Sequence, residues 1–100
     1  MTIYDDKNAS IVGMNVIELK EKIYWGNVPE RWYCLDEGLK PGALHLYKNY
    51  SVWEYFYLDD RGERTNFRVF QTAEVAYDFL WERLEDQLRI FKIAPREKGK

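Results

Sequence analysis

Histidine and cysteine, the two side chains that most readily do acid–base or nucleophilic chemistry near neutral pH, occur once each in this chain of 100 residues, as His45 and Cys34. Nucleophilic catalysis needs a nucleophile, a base and a group that orients the base. Cys34 belongs to the segment before the central strands, whereas His45 falls on a strand face beside Glu54, so the two do not read as a dyad. A small enzyme using His45 and Glu54 as an acid–base pair is the one catalytic reading the residue types allow. The competing reading makes His45 an exposed strand residue bonded to a neighbour and Cys34 a small buried hydrophobe. One His and one Cys are too few ligands for a nitrogen–sulfur metal site. Asp59-Asp60 and Glu85-Asp86 read as solvated charges, and Gly42 and Gly62 as isolated turn glycines rather than a phosphate-cradling loop. No catalytic residue, metal ligand or cofactor site is assigned.

Two surfaces remain as sites for a partner. One is acidic: between positions 73 and 88, Glu74, Asp78, Glu82, Glu85 and Asp86 face only Arg83, a local excess of four negative charges. Such a patch suits a basic protein partner, because complementary fields speed encounter and select partners. The other is the outer face of the expected sheet, where Tyr47, Phe56, Leu58 and Phe70 accompany Glu54 and Arg68. That face is too apolar to stay uncovered. The first helix, a homodimer contact or a foreign protein would cover it.

The elements that position these residues centre on Ala43 to Phe70, read as a three-stranded antiparallel meander. Its middle run, Ser51 to Leu58, is rich in aromatic residues and free of Gly and Pro. A two-residue turn at Asn49-Tyr50 pairs Lys48 with Ser51, Leu46 with Trp53 and Leu44 with Tyr55. A second turn at Asp59-Asp-Arg-Gly62 pairs Tyr57 with Thr65, Tyr55 with Phe67 and Trp53 with Val69. Both registers put Leu44, Leu46, Trp53, Tyr55, Tyr57, Phe67 and Val69 on one buried face. The same registers set Glu54 across from Arg68 on the other.

A first helix over 16–25 is signalled by the Asn15/Glu18 box, with Gly26 as a left-handed cap and Val16, Leu19 and Ile23 as its apolar stripe. Thr72 caps a long helix running to about Phe91, whose Ala73, Ala76, Tyr77, Leu80, Trp81, Leu84, Leu88 and Phe91 cover the sheet. Pro95 ends it. Trp32-Tyr33-Cys34-Leu35, flanked by turn formers, is either an edge strand or an ordered loop. The fold class is therefore α+β: a meander of three to four strands with both helices packed on it. It forms a single domain over 1–100, with a loose arm at 1–14 and a polar tail at 93–100.

Composition narrows the function. A net charge of −2, from 15 Lys and Arg against 17 Asp and Glu, gives no overall attraction to nucleic acid or anionic lipid. Aromatic stacking on the sheet would suit single-stranded nucleic acid, but no basic groove accompanies it. The lone Cys34, and the lack of a leader or a membrane-spanning apolar run, point to the cytoplasm.

The order of motifs adds a resemblance. Val28-Pro-Glu-Arg-Trp-Tyr-Cys-Leu-Asp36 is followed by a Gly and Pro loop, Trp53-Glu-Tyr-Phe-Tyr57, Asp60-Arg-Gly62, and Phe70-Gln-Thr-Ala-Glu-Val-Ala76 opening the helix that ends Leu80 to Leu88. Over roughly Asn15 to Leu88 this resembles the small immunity-protein-like domains of bacterial polymorphic toxin and contact-dependent inhibition systems. Leu58-Asp59 and Tyr77 depart from that pattern. The resemblance implies a non-enzymatic cytoplasmic protein that binds the toxic C-terminal domain of a partner, often a nuclease, and occludes its active site. The alternative is a non-enzymatic inhibitor or adaptor acting on other cellular or phage machinery.

Overall fold

The structure, a computed structural model, describes residues 14–97. The chain runs through α1 (Val16–Trp25), a 3-10 turn (Glu30–Trp32), β1 (Tyr33–Leu35), β2 (Ala43–Asn49), β3 (Val52–Leu58), β4 (Arg64–Phe70) and α2 (Ala73–Ile90). The strands form one sheet in the order β1-β2-β3-β4. This is the expected α+β class, and the open segment at 32–35 resolves into a strand. The arm at 1–14 lies outside the described residues except for Met14, which is buried in the core. From the tail, 98–100 also lies outside them, while the Arg96 main-chain N–H donates to the Trp25 carbonyl and ties that end to α1.

β1 runs parallel to β2, with Cys34 opposite His45. Parallel neighbours usually need a dozen or more connecting residues. Here β1 is only 3 residues long, so the chain returns a distance of about 10 Å at the strand rise. The loop over 36–42 makes that return with Asp36, Gly38 and Gly42 in left-handed conformations (φ 57, 48 and 83).

The β2–β3 turn is Tyr50-Ser51, with Asn49 opposite Val52, two places from the expected pairing. A slip of two keeps every side chain on its face, so burial does not distinguish the registers. Asn49 stays in the strand, where its Nδ2 donates to Glu54 Oε2 at 2.9 Å. The β3–β4 pairing matches the expectation at Tyr57 and Thr65, then shifts by one, so that Tyr55 faces Arg68 and Trp53 faces Phe70. Asn66, at φ 61, makes the bulge. Beyond it the faces exchange: Phe70 enters the main core, and Phe67 packs on the opposite side against Phe56, ring centroids 5.4 Å apart. The expected Glu54–Arg68 pair is therefore absent, because Glu54 stands opposite Val69 and Arg68 falls on the other face.

The main core lies between one sheet face and both helices. Leu44, Leu46, Tyr55 and Phe70 meet Leu19 and Ile23 of α1 and Val75, Ala76, Leu80, Leu84 and Leu88 of α2, with Trp53 and Tyr57 at the margin. Burying each Leu- or Phe-sized side chain contributes roughly 1.5–3 kcal/mol, so this layer carries most of the stability. Phe91, expected in the α2 stripe, is 64% exposed, because α2 ends at Ile90 well before Pro95.

Both helices end in the same way. Past α1, Asn27 (φ 63) is the left-handed residue, and Val28 N–H reaches back to the Ile23 carbonyl. Past α2, Lys92 (φ 56) and Ile93 repeat this on Arg89 and Leu88. Gly26 itself is right-handed at φ −76, so its role is steric. A Cβ there would meet the Lys22 carbonyl oxygen at 2.8 Å and Trp81 at 3.1 Å. No described helix is long and apolar enough to cross a membrane.

Gly26→Ala is expected to lower unfolding free energy by about 1–3 kcal/mol through overpacking at the α1–α2 contact. Asn27→Gly relieves left-handed strain but gives up the long 3.4 Å bond from Asn27 Nδ2 to the Ala94 carbonyl, so it is expected to change stability by less than about 1 kcal/mol. Urea titration of both variants checks this, and the reverse ranking would return the capping role to Gly26.

Candidate functional site

The sheet brings His45 and Cys34 together, which spacing alone did not suggest. They are cross-strand partners on the face away from the helices, and both are buried. Their chemistry is nevertheless committed to the fold. His45 is 0% exposed. Its Nε2 accepts the main-chain N–H of Lys40 at 2.9 Å, and its Nδ1 lies 3.1 Å from the Ala43 carbonyl oxygen. An amide can only donate and a carbonyl can only accept, so the ring is the neutral tautomer with its proton on Nδ1. Neither nitrogen is left for a substrate or for the thiol. Cys34 Sγ donates to the Glu37 carbonyl at 2.6 Å, and burial pushes the thiol pKa up, away from a reactive thiolate.

These bonds fasten the 36–42 loop over the second sheet face. Tyr47 Oη donates to the Gly38 carbonyl at 2.5 Å, and the Gly42 N–H donates to the Leu58 carbonyl at 2.6 Å. Beneath the loop Cys34, Ala43, His45, Phe56 and Leu58 form a second small core. The His45 ring stacks on Phe56 at 4.9 Å with 8° between planes, and the Arg64 guanidinium lies 4.7 Å from the Phe56 ring centre. The covering element is thus this loop; α1 packs on the other face with α2.

This divides the residues expected to bind a partner. Phe56 is fully buried and presents nothing outward, and Tyr47 is half-buried and spends its hydroxyl on Gly38. Glu54 is half-buried and accepts from Asn49, while Arg68 donates to the Phe67 carbonyl from the opposite face. The four do not form one surface. The expected exposed His45 beside Glu54 is likewise replaced by a buried ring facing Lys40, Ala43 and Phe56.

The acidic side of α2 does come together. Glu74, Glu82 and Glu85 are exposed and Asp78 half-exposed, and no cation among the described residues forms an ion pair with any of them. Their spacings of four, four and three residues set them in one stripe. It extends about 16 Å at 1.5 Å per residue. Asp86 drops out as a free charge, because it pairs with both Arg83 and Arg89. Among the described residues no group of three or more His, Cys, Asp or Glu is placed to hold a metal ion.

Fold and surface together define a small α+β domain with both helices on one sheet face, the 36–42 loop over part of the other, and an exposed carboxylate row on its last helix. In comparisons with known proteins no family model matches the chain, and neither a curated protein nor a solved structure does.

The His45 contacts set a pH dependence. Burial is the main cause that lowers the imidazole pKa below its ordinary 6.5; the bond to Ala43 opposes this, and the Arg64 and Lys40 charges add to it. Above that value both native and unfolded rings are neutral. As pH falls through it, the unfolded ring takes a proton that the native ring resists, so stability is lost with a slope of up to about 1.4 kcal/mol per pH unit until the native ring protonates. Urea unfolding between pH 7.5 and 5 is expected to show this loss in the natural chain and a flatter profile in His45→Gln. Equal slopes would remove His45 as the cause.

Proposed function

We propose that this chain is a non-enzymatic, cytoplasmic immunity-type protein that binds a basic toxin domain and occludes its active site. The observation that carries the reading is the carboxylate row Glu74, Asp78, Glu82 and Glu85 on the surface of α2, with which no cation among the described residues forms an ion pair. A helix holds charged groups at fixed spacing, so they engage a basic cleft with little ordering cost, and their joint field raises the encounter rate. The motif resemblance supplies the partner class. The commitment of His45 and Cys34 to the loop favours binding over catalysis.

The test is coexpression with the product of the adjacent reading frame. If that product arrests growth alone, the chain is expected to form a one-to-one complex with it and restore growth. Converting Asp78, Glu82 and Glu85 together to lysine is expected to weaken the complex at least tenfold at low salt and to flatten its salt dependence. A toxin bound equally well by the reversed variant would remove α2 from the interface. A product that is neither toxic nor bound would overturn the immunity reading in favour of an adaptor.

A further inference from the structure

β1 is an edge strand, and a cleft of about 620 Å³ opens beside it. One wall is α1, through Lys20, Ile23 and Tyr24; the floor is β1; and the far wall is the loop, through Glu37 and Lys40. In a parallel ladder the main-chain groups of alternate residues point to the neighbour strand. The Asp36 N–H bonds to the Leu46 carbonyl, which turns Cys34 and Asp36 toward β2 and leaves Tyr33 and Leu35 facing the cleft. No group among the described residues bonds the Leu35 N–H or carbonyl. The Tyr33 carbonyl accepts from Lys40 Nζ at 3.0 Å, an ammonium that also reaches the Glu30 carbonyl at 3.1 Å. A flexible side chain thus fills a donor position that a neighbouring strand would otherwise supply. The opposite edge is blunted more firmly, by the Asn66 bulge and by the Arg68 guanidinium on the Phe67 carbonyl.

We propose that the β1 cleft takes an extended peptide segment of a partner protein, which pairs with Leu35 and Tyr33 as a fifth strand. Alternate side chains of an added strand point to opposite walls. In the cleft lining the cations Lys20, Lys40 and Arg96 outnumber the carboxylates Glu30 and Glu37, and the side turned to α1 presents Tyr24 and the Lys20 ammonium, with Arg96 held on the Tyr24 carbonyl, so the occupant carries an acidic residue together with apolar ones. The proposal is independent of the α2 reading and concerns a different surface.

The probe is a random seven-residue peptide display library selected on the intact chain, followed by 15N NMR with the enriched peptides. Enrichment of acidic–apolar sequences is expected, with slowed exchange at the Leu35 amide and shifts at Lys20, Ile23 and Tyr24. Leu35→Pro removes an outward N–H and leaves Cys34 and Asp36 paired with β2, so it should lose binding tenfold or more, at a somewhat lower thermal transition because the Leu35 side chain also packs on the core. Lys20→Glu, a surface change that leaves the fold alone, should weaken acidic peptides several-fold. The α2 lysine triple variant should bind them as the natural chain does. No enrichment, a footprint on α2, or unchanged binding by Lys20→Glu would each overturn the proposal.

Discussion

A strand buried on both faces needs two covering layers, and this chain is short for that. Ala43, Leu44, His45 and Leu46 of β2 are all buried in succession. The helices supply one layer. The other is the 36–42 loop, which has no regular secondary structure and therefore no hydrogen-bond ladder of its own to hold it down. A buried imidazole does that work. His45 Nε2 accepts from the Lys40 amide and its Nδ1–H donates to the Ala43 carbonyl, while its flat face packs on Phe56. An apolar residue in its place would leave a buried amide without an acceptor, which costs about 1–3 kcal/mol. The loop over the small second core is held by this contact together with the Cys34–Glu37, Tyr47–Gly38 and Gly42–Leu58 bonds, and the His45 contact is the one made by a fully buried side chain.

The same arrangement decides where function can sit. The residues with the greatest chemical potential point inward and are satisfied, and the aromatic second face that looked like a docking surface is already occupied by the chain's own loop. Among the described residues, charge on the solvent side of α2 and unpaired main chain at Leu35 on the β1 edge stay available. Both are features of rigid elements. Each suits recognition of another protein, one by field complementarity and the other by strand pairing.

Much of this was legible in the residues. The capping box at Asn15 and Glu18 and the Thr72 cap stand where the sequence placed them, because a cap is a local bond between neighbours in the chain. Leu44, Leu46, Trp53, Tyr55 and Tyr57 share a face as expected, since strand alternation survives a two-residue slip. The bulge was not legible from alternation alone, and it moved Phe67, Val69, Arg68 and Phe70 across the sheet. Its only signal was Asn66, one of the few residues that tolerate a left-handed backbone. The parallel course of β1 and the folding of the loop over His45 were also hidden, because both are long-range placements that no local period reports. The α2 carboxylates stand on the wet side of the helix because helical spacing fixes them there; the loss of Asp86 to Arg83 and Arg89 follows from pairs three residues apart that the sequence already contained.

The attachment of the loop turns most directly on the state of one ring, and the chain's single histidine makes that state readable without resonance ambiguity. The measurement is the pair of imidazole 15N shifts in a long-range 1H–15N correlation spectrum at pH 7. A neutral ring with its proton on Nδ1 is expected, the reverse of the tautomer that an exposed imidazole favours, together with slow exchange of the Lys40 amide. A ring protonated on Nε2, or a charged imidazolium at pH 7, would contradict the loop's attachment and leave the second sheet face open.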